Sequence, residues 1–384
     1  MSRRFRLSAT AAALALALPA SPALALGDSV TIGTWLNYEY DNRATSHHGN
    51  TGGDFNYEAL ILYINHQQDD WYFDSEVRFG SGSFQTFSGT SQDDAQSAIG
   101  IKQLSIGHHL SDSWAVEVGK TQVPFSRSRT NFWPGERMTS GFGDQRNLGV
   151  KLIGNDADSP LDMSFMLVKN QNFGTDTTSL DDGTLGQWGS NDTYAKVNTF
   201  VADFGFEFLP NRRLGLSVQT GQLANQAESD SGDDLAFGDE TVGHTAVALY
   251  SQCQHGPLET GFQFVHYAQE HFDADVIDDA GEYNTMGTGQ ALHLTMAYSG
   301  GERMRPYMDL SMRMPDGDLR NAAGNAYDDT TDLVLGTSYH YGPGWFYVEG
   351  LFTNVTAEDD PVDNWYTRSG KSHAVLMLTM DYYF

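Results

Sequence analysis

The reading of one stretch decides the fold: Ala374-Val-Leu-Met-Leu-Thr-Met-Asp-Tyr-Tyr-Phe384. Ala374, Leu376, Leu378, Met380, Tyr382 and Phe384 occupy every second position. Successive side chains of an extended chain point to opposite sides, so these residues share one face of a strand. The pattern recurs near the other end of the chain. From Val30, the residues Val30, Ile32, Leu36, Tyr38 and Tyr40 fall on one face, and Thr31, Gly33, Asn37, Glu39 and Asp41 fall on the other. One face suits lipid and the other suits water.

Between these two stretches the same alternation predicts strands near 54–67, 71–80, 98–109, 113–120, 147–154, 161–169, 193–208, 213–223, 241–253, 257–268, 289–299, 302–314, 330–341 and 345–355, about 16 in all. Most reach the roughly 9–11 residues that a tilted strand needs to cross a bilayer. Connection lengths carry a second, independent signal. Short turns are predicted at Gln68–Asp70, Leu110–Asp112, Asn155–Pro160, Pro210–Arg212, Gln254–Gly256, Gly300–Gly301 and Gly342–Gly344. Long polar loops intervene, among them Asn172–Asp192, Ala224–Glu240, Glu270–Gly287, Pro315–Asp329 and Thr356–Gly370. Short turns on one rim and long loops on the other are the asymmetry of a transmembrane antiparallel β-barrel, with both chain ends expected in the periplasm. Closure also removes the exposed edges that so wide an open sheet would have to protect.

Residues 1–25 read as a signal peptide. Arg3, Arg4 and Arg6 precede an apolar run from Leu7 to Leu18, and Ala23 and Ala25 offer an A-x-A cleavage site. The apolar run is too short for a helix of about 20 residues to span a bilayer. The mature barrel domain is expected to be 26–384. Mean hydropathy is −0.42, and no later stretch is apolar enough for a membrane helix. A barrel wall that is half polar has such an average, because only alternate residues meet lipid.

Forty glycines, eighteen tyrosines and twenty-two phenylalanines against eleven prolines fit a long sheet with aromatic girdles. The single Cys253 excludes an internal disulfide framework. A net charge of −28 argues against nucleic acid as a partner, since phosphate recognition needs clustered cations. It fits the acidic proteome of a high-salt habitat, where dense carboxylates keep a surface hydrated after salt has screened ordinary repulsion.

Against that acidity, the third long connection, from about Lys120 to Asn147, is basic. It holds Lys120, Arg127, Arg129, Arg137 and Arg146, with Lys151 following, against Glu136 and Asp144. A guanidinium stays charged and presents a fixed fork of donors matched to phosphate and carboxylate oxygens, so such a cluster lowers the barrier for anions. Phe125, Phe132, Trp133, Pro134 and Phe142 in the same segment either stiffen it by packing on the wall or offer a slide for sugar rings. On the strand at 302–314, Arg303, Arg305, Tyr307, Asp309 and Arg313 share a face, so Arg303, Arg305 and Arg313 are expected on the lumen wall. There they either select solutes or pair with carboxylates such as Asp309, Glu349 or Glu76.

Loop carboxylates such as Asp233 and Asp234, Asp278 and Asp279, or Asp359 and Asp360 lack the ordered spacing of a calcium loop and read as solvated surface. The pairs His47–His48 and His108–His109 are adjacent, so in a strand they point apart and cannot chelate together. No metal, cofactor or catalytic residue is predicted. No spacing singles out a nucleophile and its base, and the chain does not read as an enzyme.

The aromatic end at Phe384 resembles outer-membrane proteins generally, whose last strand ends in an aromatic that the assembly machinery recognises. At Val118–Ser126 (Val-Gly-Lys-Thr-Gln-Val-Pro-Phe-Ser) and Arg146–Val150 (Arg-Asn-Leu-Gly-Val) the chain resembles the phosphate-selective porin O and P family of Gram-negative outer membranes. Asn147 stands where an acidic residue is usual, and the third connection has no lysine between Lys120 and Lys151. The resemblance implies a homotrimeric porin in outer-membrane lipid and lipopolysaccharide, with a third loop folded into the barrel. It also implies passive diffusion of small ionic or polar solutes with an anion, phosphate-like preference. Two alternatives stand beside it: a general or cation-preferring porin for organic solutes, and a barrel whose long loops serve as a receptor or adhesin.

Overall fold

The computed structural model describes residues 29–42, 52–79, 99–125, 131–132, 145–156, 159–169, 194–227, 236–270, 288–316, 329–356 and 368–384. The expected signal peptide at 1–25, the pair His47–His48 and the acidic loop residues from Asp233 onward that are named above lie outside them.

The described chain is all β and forms sixteen antiparallel strands closed into one barrel. In chain order they are β1 (Ser29–Asp41), β2 (Asp54–Gln68), β3 (Trp71–Phe79), β4 (Ile99–His109), β5 (Trp114–Gln122), β6 (Arg146–Asn155), β7 (Leu161–Val168) and β8 (Tyr194–Leu209). There follow β9 (Arg212–Ala227), β10 (Ala236–His255), β11 (Leu258–Gln269), β12 (Thr288–Tyr298), β13 (Met304–Pro315), β14 (Thr330–His340), β15 (Trp345–Thr356) and β16 (Arg368–Tyr383). Each strand pairs with its sequence neighbours, and β1 pairs with β16 in register Gly33↔Tyr383 through Asp41↔Val375. Ile32 and Phe384 exchange two backbone hydrogen bonds of 2.9 Å beyond that ladder. All seven predicted short turns fall between paired strands.

Burial inverts the order of a soluble protein. Outward residues are large and apolar, with Leu36 50 %, Leu249 55 % and Phe352 48 % exposed, while Asn37, Asp309, Asp332, Glu349 and Thr379 on the inner face are wholly buried. The predicted faces of β1 and β16 are those observed: Leu36 and Tyr38 face out where Asn37 and Glu39 face in. Such a wall is stable where lipid bathes the outside and polar groups satisfy one another inside. Outward aromatics collect near both rims, Trp71, Tyr298, Tyr339 and Tyr382 at the short-turn end and Tyr38, Phe55, Phe79 and Phe352 at the other. These are the girdles that place amphipathic rings at headgroup level.

Cys253 lies two residues before the end of β10, half-buried and in no disulfide. His108 stacks on Trp71 with ring centroids 4.3 Å apart, while His109 packs beside Tyr72, so the adjacent pair does point apart. Among the described residues no cluster of His, Cys, Asp and Glu has the shape of a metal site.

Candidate functional site: the barrel lumen

Strand parity brings Tyr72, Asp74, Glu76 and Arg78 of β3 to the inner face. A register shift between Glu76 and Val77 leaves Lys102 as an extra residue on β4, which turns its side chain inward. Arg78 donates to Glu76 Oε1 at 2.9 Å and Lys102 Nζ lies 3.3 Å from Glu76 Oε2. Arg146, at the start of β6, adds its field to the same carboxylate. One half-buried acid is thus paired with two cations and lies in the field of a third. Next to it Lys151 pairs with Glu117 at 2.6 Å and donates to Thr121 Oγ1 at 2.8 Å, and Tyr72 donates to Glu117 at 3.0 Å.

A further lysine belongs to this side of the wall. Lys196 of β8 is fully buried and donates to Gln145 Oε1 at 2.7 Å and Asn147 Oδ1 at 3.3 Å. It precedes an irregularity between Val197 and Phe200 at which Asn198 takes a positive φ of 43°. Close by, Thr199 Oγ1 lies 3.0 Å from His244 Nε2. Nearer the short-turn rim, Arg213 bridges Asp162 and Asp203, and Ser217 and Tyr250 also donate to Asp203. Gly205 leaves room for that guanidinium, since a Cβ there would lie 2.0 Å from Arg213 Nε.

The opposite arc, β13 through β16 to β1, is acidic. Asp309, Asp332, Glu349, Asp381, Glu39 and Asp41 are all buried on its inner face. Of the predicted wall arginines, Arg313 is buried and donates through Nε to Tyr267 Oη at 3.1 Å. Arg305 pairs with Glu259 of β11 at 2.7 Å, rather than with the acids of its own arc. Arg303 was expected on the strand. It lies instead in the turn before β13, exposed, where its carbonyl accepts from His340 N at 2.8 Å. The Gly300-Gly301 turn runs longer than expected, and Arg303 finishes it.

Of the predicted constriction residues, Arg146 and Lys151 are on β6 and Lys120 is on β5. Lys120 is 1 % exposed and pairs in register with the apolar Leu104 and Leu148, beside an apolar cavity of about 280 Å³ in the wall. Arg127, Arg129 and Arg137 lie outside the described residues, as do Trp133, Pro134 and Phe142.

Described parts of the third connection touch the inner wall at two places. Val123 and Phe125 are buried in a cluster with Met166, Val168, Val201 and Tyr267. Asn131 and Phe132 meet the acidic arc: Asn131 N donates to Asp309 Oδ2 at 2.9 Å and Phe132 N to Glu349 Oε1 at 2.7 Å. The Asn131 side-chain amide reaches Asp309 as well, and Tyr307 donates to Glu349 at 2.5 Å. The Phe132 ring stacks on Tyr347 at 4.3 Å and meets Trp35 edge-on at 5.0 Å. Of the two readings of these aromatics, Phe125 and Phe132 take the packing one.

A closed sixteen-stranded barrel with an apolar outside and a charged, hydrogen-bonded inside defines the class: it is the fold of outer-membrane porins. Comparison with solved structures agrees. The chain is similar to the structure of Salmonella typhi OmpF in complex with daunomycin, at 12 % identity and a TM-score of 0.58 over 93 % of this chain and 97 % of that one. It is similar to the anion-selective porin of Comamonas acidovorans at 11 % identity, with a TM-score of 0.55 over 93 % and 100 %. The trimer form of in-vitro folded OmpT, an outer membrane protein of Vibrio cholerae, gives 10 % identity and a TM-score of 0.54 over 93 % and 100 %. No family model matches the chain, so the likeness to the porin O and P family rests on the two short segments quoted above. No curated protein matches it either.

Proposed function

We propose that this chain is an outer-membrane porin, exported with cleavage after Ala25, that passes small hydrophilic solutes passively and favours anions. The observation that carries the preference is the setting of Glu76, one carboxylate among Arg78, Lys102 and Arg146, with Lys151 and Lys196 on the same side. A wall segment with more fixed cations than acids lowers the barrier for phosphate-like anions and raises it for cations. The third connection is read as folding into the barrel and narrowing it, bringing Arg127, Arg129 and Arg137 near that wall. The contacts of Phe125, Asn131 and Phe132 support this reading. Homotrimers in lipid and lipopolysaccharide are the expected assembly, as a trimer form exists for one protein of the same fold.

The acidic arc favours one rival. If Asp309, Asp332, Glu349 and Asp381 dominate the passage, the channel is a general or cation-preferring one for organic solutes. The reversal potential of the purified protein in a planar bilayer under a KCl gradient separates the two. Anion selectivity is expected, falling in Lys102→Gln/Arg146→Gln and falling also in Arg127→Ala/Arg129→Ala. Cation selectivity that neither pair moves would leave the rival standing. A protein that folds and conducts nothing would favour the receptor reading.

A further inference from the structure

On the outer wall at the short-turn rim, two basic side chains meet with no acid between them. Arg212 opens β9 and has the outward parity of Leu214 and Leu216, which are 51 % and 38 % exposed. His255 closes β10 with the outward parity of Leu249, and Arg212 Nη2 lies 3.1 Å from His255 Nδ1. A guanidinium has only N–H groups to offer, so Nδ1 accepts and the ring proton sits on Nε2, on the far side of the imidazole. The pair is left with the other guanidinium donors, one imidazole N–H and a positive charge, all on the outer face. Other arginines are used differently: Arg78 pairs with Glu76, Arg213 with Asp162 and Asp203, and Arg305 with Glu259. Among the described residues no carboxylate pairs with Arg212 or His255. Glu207, the acid closest to Arg212 in sequence, accepts instead from Asn211 N at 2.8 Å.

Tight turns hold both residues in place. Asn211 takes a φ of 61° just before Arg212, and Gly256 a φ of 58° just after His255. Their depth is fixed as well, since His255 is in register with Leu258, and Leu258 with Tyr298 of the short-turn girdle, where rings lie at headgroup level. Leu209, in register with Arg212 and 48 % exposed, continues the apolar wall beside them. We infer that Arg212 and His255 form a site for the phosphate of a membrane lipid in the leaflet that faces the short turns, with Leu209 and Leu214 against its acyl chain. The guanidinium fork matches phosphate oxygens and the imidazole N–H adds a further donor. An anion met at this depth on a lipid-facing wall is a lipid headgroup. The inference rests on the reading of the chain as an outer-membrane barrel and does not depend on which ions pass through it.

Native mass spectrometry of the folded full-length barrel tests it, with detergent micelles carrying either phosphatidylglycerol or uncharged diacylglycerol of the same chains. One phosphatidylglycerol is expected to be retained in preference to diacylglycerol. Its retention is expected to fall about tenfold in Arg212→Gln and in His255→Leu, the scale of losing a hydrogen bond to a charged group. Arg303→Gln, which removes an exposed arginine from another short turn, is expected to hold the lipid as wild type does. Heat-modifiable electrophoresis confirms that each variant is folded. Undiminished retention in Arg212→Gln overturns the inference, and an equal loss in Arg303→Gln does so by making net charge the cause. Diacylglycerol held as firmly as phosphatidylglycerol would assign binding to the apolar wall alone. Dissociation of oligomers in Arg212→Gln with lipid still bound would make the pair a contact between copies, and either result overturns the site. The reversal potential of Arg212→Gln is expected to match wild type, so the ion preference and the lipid site stand or fall separately.

Discussion

Gly119 shows how one position can carry a strand. Its φ of +137° lies where only glycine is at ease, and a Cβ there would sit 2.2 Å from the Leu104 carbonyl oxygen on the neighbouring strand. Gly119→Ala is expected to cost about 1–3 kcal/mol, the usual range for a residue forced into such backbone. The urea midpoint of the folded, heat-modifiable band on electrophoresis would show it, and an unchanged midpoint would refute the strain. At this scale the sequence was legible only in part. Asn37, Glu39 and Arg313 were assigned to their faces by parity alone. Lys102 escaped because a bulge shifts parity at that point, and Lys196 because the strand is irregular beside it. Arg78 followed the alternation of β3 with Glu76 and could have been read from it. It was passed over because it stands alone in sequence, whereas the arginines of the third connection cluster.

Strands and their seams were far more legible than single side chains. Alternation and turn chemistry are local, so they fix β1 to β16 within a few residues, whereas contacts such as Asn131 with Asp309 span 178 residues and leave no local trace. The third connection is shorter than expected, because β5 continues past Lys120 to Gln122 and β6 begins at Arg146, which turns Arg146 from a loop residue into a strand residue and sets Lys120, expected at the strand's end, within it. The seam of β1 with β16 makes its own prediction. Phe384 closes the ladder against Ile32 and lies exposed in the outer aromatic girdle, so Phe384→Ala is expected to lower the folded fraction recovered in membranes. Heat-modifiable electrophoresis of outer-membrane fractions checks this, and equal recovery would show that the ladder hydrogen bonds suffice.

For the whole molecule, charge acts over two ranges. The net charge of −28 gives a long-range field at the mouths, while the cations around Glu76 act at contact distance. The Debye length falls from about 10 Å at 0.1 M salt to about 3 Å at 1 M. Raising KCl through that range at a fixed gradient ratio is therefore expected to preserve or strengthen anion preference, as the acidic field fades before the close contacts do. A preference that vanishes at 1 M would place selectivity at the mouths instead of within the wall.

Closure of the sheet also bears on how the molecule comes to exist. The Trp35 indole donates to Tyr383 Oη at 3.3 Å across a separation of 348 residues, and no strand of the closed ring is complete without both neighbours. Loop-closure entropy must be met before so distant a pairing can reward it, which makes assembly slow. Until β1 finds β16, two unpaired edges and the greasy outer surface stay open to other chains. Such a polypeptide has no stable halfway house, so its passage to the membrane depends on being kept apart from its own copies until the ring shuts.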